Sequence, residues 1–129
     1  MADALQEDLV TFLAGRQVTQ IRRDAAAVQD LGEKGASDGM EADAAGAVYA
    51  GDYEHNAIRK RRPDGQWQTL VHDPRLLWPD TLSIGPDGYL YFIANQLHRQ
   101  AAFRSGQDQR QKPYSLMRLK IDAAPAPTR

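Results

Sequence analysis

The sequence predicts an all-β fold in which a unit of about four short antiparallel strands occurs more than once. Short runs rich in aromatic and β-branched residues, each ended by a turn sequence, support this prediction. Equivalent residues also recur at a spacing of 42. The matched positions are Asp38 with Asp80, Met40 with Leu82, Gly46 with Gly88, Val48 with Leu90 and Tyr49 with Tyr91. Units of this length and strand content are typical of β-propeller blades.

Residues 1–34 are predicted to form an N-terminal segment with a short helix and a partial strand. Asp24 is suited to the N-cap of that helix and Gly32 to its C-terminal end. Leucine, valine and phenylalanine between residues 5 and 13 are spaced compatibly with another amphipathic helix, whereas residues 18–21 suit a strand equally well.

Residues 35–122 carry the predicted blades. In the first unit, strand-like residues 56–61 and 67–71 flank a Pro-Asp-Gly turn. In the second, residues 81–84 and 89–93 flank Gly85-Pro86-Asp87-Gly88. The third strand recurs as well, because Ile58-Arg59 resembles the run 117–121 that follows a polar insertion at 99–112. The Pro/Ala-rich tail, 123–129, is predicted to be disordered.

The predicted blades are too few for a closed ring. The chain supplies about two blades and part of another, whereas propellers typically contain 4–8. Sheet edges and apolar faces would otherwise stay exposed. We therefore expect either further blades on the N-terminal side, in a longer protein, or self-association of copies of this chain.

Composition narrows the classes of partner and chemistry. The net charge is −1 and the isoelectric point is about 6.3, so nucleic acid and anionic membrane are not expected partners. The basic run at 59–62 is interpreted as the solvated end of a hairpin, with an anion contact as the alternative. The chain has no cysteine, no signal-peptide pattern and no apolar run of membrane-spanning length, which leaves localisation undecided.

Polar residues lie at the start of one strand and the end of the next. Asp80 and Thr81 begin the first strand of the second hairpin, and Asn95 follows its partner strand. These ends are adjacent in an antiparallel hairpin, so Asp80 and Asn95 are expected to meet. The three residues are candidates for binding a small-molecule ligand. The alternative role is hydrogen bonding between blades.

Asp38 occupies the position equivalent to Asp80, and both carboxylates are expected to converge if their strands line a tunnel. Carboxylate oxygens suit Ca²⁺ or Mg²⁺, and they also attract an ammonium group. Asp38 is therefore the candidate metal ligand. The alternative is that each aspartate accepts backbone N–H bonds and stabilises a turn.

Histidines and aromatic residues offer weaker candidates. His98 has a general-base or a surface role, and His72 is interpreted as structural. His55 beside Glu54 suggests metal binding only if both lie in a loop, because neighbouring strand residues point to opposite faces. Aromatic residues such as Trp78 form either a stacking wall or blade packing. No nucleophile motif and no phosphate-binding glycine loop is found, so covalent catalysis is not supported.

Several ordered motifs resemble the C-terminal part of the major royal jelly protein/yellow family, in a bacterial form. They are Ser37-Asp38-Gly39-Met40, Glu54-His55-Asn56-Ala57-Ile58, the run 70–76, Trp78-Pro79-Asp80-Thr81 and Asn95-Gln96-Leu97-His98. The resemblance covers about residues 31–122. It implies the last third of a six-bladed propeller with a ligand site at the wide end of a central tunnel.

The resemblance also implies chemistry. Some insect members bind biogenic amines, and Thr81 and Asn95 fall where ligand-contacting positions lie in those proteins. The Ser-Asp-Gly-Met stretch is similar to the more distant gluconolactonase/senescence-marker propellers, in which the aspartate at the position of Asp38 binds a catalytic divalent metal. Their other ligands, a Glu and an Asn, come from earlier blades that this sequence does not contain. Family members are often exported.

Three hypotheses about function follow. The first is binding of a small aromatic or amine-bearing ligand by a partial propeller. The alternative is a metal-dependent lactonase or dopachrome-isomerase-like enzyme with Asp38 on the metal, so whether the chain is an enzyme stays open. The third is a purely structural or interaction role.

Overall fold

A computed structural model describes residues 30–127 of the chain. Residues 1–29, which include nearly all of the predicted N-terminal helices, lie outside the described part, as do residues 128 and 129. Residues 33–127 belong to a single compact unit. The following description concerns that unit.

Seven strands form two antiparallel sheets, which confirms the prediction of an all-β fold. The first sheet has the order β1-β2-β3-β4 and the second β5-β6-β7. The strands are β1 (Met40–Ala42), β2 (Val48–Asp52), β3 (Ala57–Arg61), β4 (Trp67–His72), β5 (Pro79–Ile84), β6 (Tyr89–Ala94) and β7 (Leu116–Lys120). Two short 3₁₀ turns, Leu97–Arg99 and Ala101–Phe103, lie between β6 and β7. No helix in the described range is long and apolar enough to cross a membrane.

The 42-residue spacing is repeated in the backbone hydrogen bonds of two turns. Gly46 N–H donates to the Asp43 carbonyl at 3.0 Å, and Gly88 N–H donates to the Gly85 carbonyl at 3.2 Å. Gly46 and Gly88 have φ values of 85° and 79°, a conformation that glycine adopts without steric cost. The turn joining β1 to β2 is therefore built like the turn joining β5 to β6.

The third strand of each sheet is also equivalent, but in a different register from the one suggested by the sequence. Tyr49 on β2 lies opposite Lys60 on β3, and Tyr91 on β6 lies opposite Arg118 on β7. The match of Ile58-Arg59 with Met117-Arg118 is therefore wrong by one residue. That match followed residue type alone, whereas pairing across the sheet fixes the register and hence the face of each side chain.

The core lies between the two sheets. Tyr49 and Ile58 from the first sheet are fully buried, and Leu90 from the second sheet is equally buried. Other members of this apolar cluster are Ala47, Leu76, Leu82, Ile84 and Phe92. Burying a large apolar side chain contributes about 1.5–3 kcal/mol, so this cluster is a major source of the unit's stability.

Two glycines let the sheets approach closely at one end. Gly39 precedes β1, and a methyl group there would overlap the backbone carbonyl oxygen of Asp80. A methyl group at Gly51 would lie 2.8 Å from the carbonyl oxygen of Pro79. The backbone of the first sheet therefore contacts the backbone at the start of β5 directly, because glycine has no Cβ atom at these two positions. Any larger residue would separate the two backbones.

The described part of the tail, residues 123–127, pairs with the segment 42–44 at the end of β1. Ala44 N–H donates to the Ala124 carbonyl, and Ala126 N–H donates to the Ala42 carbonyl. Pro125 forms an isolated antiparallel bridge with Asp43. Since β1 is an edge strand, its outer backbone groups are available for pairing, and the tail satisfies them despite its disorder-promoting composition.

Candidate functional site

Four side chains, Asp38, Tyr53, Trp78 and His98, form what we call the Trp78 cluster. The rings of Tyr53 and Trp78 are stacked, with centroids 4.0 Å apart and planes 2° apart. The His98 ring lies 5.9 Å from the Trp78 ring at an interplanar angle of 20°. Tyr53 follows β2, Trp78 precedes β5 and His98 follows β6. Three separate connections thus supply one aromatic stack.

The backbone of Trp78 has a φ of 62°, in the left-handed region. For a bulky residue this conformation is an outlier, and it costs on the order of 1–3 kcal/mol. The Trp78 carbonyl accepts the N–H of Asn95 at 3.2 Å, which holds this backbone against the end of β6. The strained conformation is therefore maintained by its surroundings.

Asp38 lies at the edge of this stack. Its carboxylate accepts a hydrogen bond from the indole N–H of Trp78 and is otherwise exposed to solvent. Half-buried aromatic rings beside an exposed anion provide both a stacking surface and a negative charge. Such a combination attracts cations that carry apolar groups.

Asp80 and Asn95 meet as the sequence predicted. The Asn95 side-chain amide donates to Oδ2 of Asp80 at 2.7 Å, and Asn95 Oδ1 accepts the N–H of Leu97 at 2.9 Å. Both residues are half-buried. The overlap that a side chain at Gly39 would make with the Asp80 carbonyl shows that the segment carrying Asp38, just before β1, lies directly against the backbone of Asp80.

The geometry supports Thr81 and the predicted metal site at Asp38 less than it supports the contact between Asp80 and Asn95. Thr81 is exposed on β5, and within the described part its hydroxyl joins neither Asp80 nor Asn95 by a hydrogen bond. Neither Asp38 nor Asp80 belongs to a group of three potential metal-ligating side chains among residues 30–127. The described residues therefore do not complete a metal-ligand set around Asp38.

His98 adds an imidazole beside the Trp78 ring. Burial lowers the pKa of the His98 imidazole, and the charges of Arg99 and Arg104 lower it further. The neutral ring is therefore favoured at neutral pH, which suits stacking on Trp78. A neutral imidazole also retains a basic nitrogen, so a general-base role stays chemically consistent.

Several other tyrosines and arginines, including those of the basic run 59–62, make contacts outside the Trp78 cluster. The Tyr91 hydroxyl donates to Asp87 at 2.7 Å, and the Arg118 guanidinium lies 4.5 Å from the Tyr89 ring centroid. Within the basic run, Arg59 lies over the Trp67 ring and Arg62 donates to Gln68. These contacts favour the interpretation of the basic run as part of its own hairpin.

Sequence reasoning missed Tyr53 and the backbone of Trp78. Tyr53 lies in the turn 53–56, and no local pattern indicates that its ring stacks on a residue of another sheet. It also missed Asp52, whose carboxylate contacts His55. The sequence Asp52-Tyr-Glu-His at the end of a buried strand could have indicated such contacts. Residues in a turn are not restricted to alternating faces, so neighbouring side chains there can lie close together.

Comparison with models of known protein families gives no match, and comparison with curated proteins gives none either. Neither comparison identifies a family. The royal-jelly/yellow assignment therefore remains a prediction from the sequence motifs.

Proposed function

We propose that the chain is part of a royal-jelly/yellow-type β-propeller that binds a small aromatic or amine-bearing molecule. The first sheet has the four-strand antiparallel order expected of a blade, and the second has three strands in the same order. Equivalent turns 42 residues apart support the interpretation of both as repeats of one unit. Consecutive blades of a propeller pack face to face, as these two sheets do.

The observation that carries the ligand proposal is the strained backbone of Trp78. Strained conformations of bulky residues cluster at binding sites, where the surrounding structure maintains them. Here the strain places an indole against Tyr53, His98 and Asp38 at one end of both sheets.

The chemistry of the cluster favours an aromatic amine. Aromatic faces stack on a ligand ring or attract its ammonium group, and Asp38 offers an ion-pairing partner. Asp80 and Asn95 lie nearby and provide directional acceptors and donors for a hydroxyl or an amine. Small-molecule sites usually combine an apolar wall with a few such polar groups.

The proposal treats the chain as an incomplete ring. The outer face of the second sheet includes Leu116, a residue that is 69% exposed, although the equivalent Ile58 in the first sheet is fully buried. This difference supports an additional blade over the second sheet, supplied by a longer protein or by another copy. Light scattering of the purified chain distinguishes a monomer from a closed assembly.

Tryptophan fluorescence tests ligand binding directly, because the chain contains only Trp67 and Trp78. A Trp67→Phe variant makes Trp78 the sole reporter. We expect tyramine to change its emission saturably and 4-ethylphenol, which lacks the amine, to bind at least 5-fold more weakly. Asp38→Asn should weaken tyramine binding about 10-fold, corresponding to about 1.4 kcal/mol.

The matched control is Asp64→Asn, which changes an exposed aspartate in a hairpin turn away from the cluster. It should leave the affinity for tyramine unchanged. Equal affinity of the Asp38 variant and the parent protein would contradict the proposal, as would absence of any saturable change in Trp78 emission.

A further inference from the structure

The turn between β2 and β3 gathers three side chains that carry metal-ligating atoms. Asp52 ends β2, and Glu54 and His55 follow it in the turn 53–56. One carboxylate oxygen from each acid and one ring nitrogen of His55 all lie within 4.8 Å of one another. Atoms bound to one zinc ion at about 2.0–2.2 Å are at most about 4.4 Å apart, so a small side-chain adjustment brings all three into coordination distance.

Asp52 is buried, whereas His55 is accessible. The exposed fractions of their side chains are 8% and 73%. Nδ1 of His55 lies 2.9 Å and 3.0 Å from the two carboxylate oxygens of Asp52, and the His55 backbone N–H donates to Oδ1. Within residues 30–127, Asp52 has no lysine or arginine ion-pair partner. A buried carboxylate without a permanent cation is a favourable position for a metal ion.

An arginine close to Asp52 is already engaged. Arg59 lines the same groove, but its Nη1 donates to the Lys34 carbonyl at 3.2 Å. Its guanidinium also lies 5.1 Å from the centroid of the Trp67 ring. The positive charge of Arg59 is thus directed to other groups.

A groove of about 500 Å³ adjoins the three residues and contains a second histidine. Its lining residues are Asp52, His55, Ala57, Arg59, Thr69 and His72. Asp52 pairs with Ala57 across β2 and β3, and Ala57 pairs with His72 across β3 and β4. The three residues therefore share one face, and the small side chain of Ala57 leaves space between the other two.

His72 lies two strands away from Asp52, about 9–10 Å between backbones, and is outside the group of atoms within 4.8 Å of one another. Its imidazole therefore reaches an ion at Asp52 only after a side-chain rotation. We propose that Asp52, Glu54 and His55 bind a divalent transition-metal ion of the zinc type, with His72 as a further ligand from the opposite side of the groove. Two imidazoles among carboxylates favour zinc, nickel or copper over calcium or magnesium.

This site is distinct from Asp38 and does not depend on the proposed aromatic-amine function. The turn 53–56 contributes to both places, since Tyr53 stacks on Trp78 while His55 lines the groove. The ion binds the lone pair of a His55 ring nitrogen, so that nitrogen must carry no proton when the metal is bound.

Calorimetric titration of the untagged full chain with zinc chloride tests the proposal. We expect one ion per chain, with affinity reduced at least about 100-fold in His55→Ala and about 10-fold in His72→Ala. Asp64→Asn, which removes an exposed carboxylate outside the groove, is the control and should bind zinc like the parent protein. Calcium chloride should bind far more weakly than zinc chloride.

Circular dichroism of each variant separates loss of ligation from loss of folding. Asp52→Asn removes the charge but keeps the shape, and it should retain the fold while losing zinc affinity. If that variant unfolds, the exposed substitutions His55→Gln and Glu54→Gln decide the question. Absence of zinc binding up to about millimolar concentrations, unchanged affinity in His55→Ala, or tighter binding of calcium than of zinc would overturn the proposal.

Discussion

Removing the hydroxyl of Tyr49 provides a sharp test of what stabilises the first sheet. Tyr49 is fully buried on β2, and its hydroxyl donates a 2.9 Å hydrogen bond to Oδ2 of Asp43, which is 4% exposed. The other oxygen of Asp43 accepts the N–H groups of Ala45 and Ala47. After Tyr49→Phe, the closest group to Oδ2 with an opposite charge is Lys60, at 3.8 Å.

The expected magnitude follows from burial and charge. A hydrogen bond to a charged group contributes about 1.5–3 kcal/mol, and a buried acceptor that loses its donor cannot recruit bulk water freely. We expect Tyr49→Phe to lower the free energy of unfolding by about 2 kcal/mol. For a unit of this size, that corresponds to a decrease in Tm of about 8–16 °C.

The structure contains a matched control at the repeat-equivalent position. The Tyr91 hydroxyl donates to Oδ2 of Asp87 at 2.7 Å, but this pair is exposed. Water replaces the lost hydroxyl there, so Tyr91→Phe should lower the free energy of unfolding by less than about 0.5 kcal/mol.

Urea unfolding followed by circular dichroism measures both variants. Their midpoints should separate while the dependence on urea concentration stays the same, because neither change alters the surface exposed on unfolding. Equal losses in the two variants, or a loss below about 0.5 kcal/mol for Tyr49→Phe, would refute the argument that burial determines the strength of this bond.

Three further predictions concern stability and use the same assay. Gly39→Ala should lower the free energy of unfolding by at least about 3 kcal/mol because its methyl group would overlap the Asp80 carbonyl. The control Ser83→Ala, at an exposed position, should leave this free energy nearly unchanged. A decrease below about 1 kcal/mol for Gly39→Ala would contradict the close approach of the two backbones. Leu90→Ala should cost about 2–5 kcal/mol because Leu90 is fully buried, and a loss below about 1 kcal/mol would show that this core position is solvent-accessible. Burial raises the pKa of the Asp43 carboxyl, but hydrogen bonds from backbone N–H groups and a tyrosine hydroxyl outweigh it and hold the pKa below its ordinary value. The ionised Asp43 carboxylate therefore stabilises the fold above its ordinary pKa, and this stabilisation is lost as pH falls through the lower pKa of the folded state. Asp43→Asn should make the free energy of unfolding less dependent on pH in the acid range. An unchanged pH dependence in that range would contradict the lowered pKa of Asp43.

Local patterns in the sequence predicted the second hairpin and one of its polar contacts. Alternating apolar residues around Gly85-Pro86-Asp87-Gly88 indicated β5 and β6, and the structure has both strands. The pairing of Asp80 with Asn95 followed from antiparallel geometry alone. These features depend on residues close in the sequence or on a hairpin whose register its turn determines.

Contacts between distant segments were not predictable in the same way. The stack of Tyr53 on Trp78 depends on how one sheet packs on the other, and the φ of Trp78 depends on the surrounding structure. Pairing of the tail with β1 required knowing that β1 is an edge strand. Composition and periodicity indicate the local conformational preference of a segment, whereas these features depend on tertiary packing between segments distant in sequence.

The equivalent connections β2–β3 and β6–β7 differ greatly in length. The first consists of residues 53–56, and the second extends over 95–115, yet both flanking strand pairs keep the same register. Closing a longer loop costs only about 0.6 kcal/mol for each doubling of its length. Grafting foreign segments between Asp52 and Ala57 is therefore a practical route to new recognition surfaces, since the sheet beneath tolerates either length.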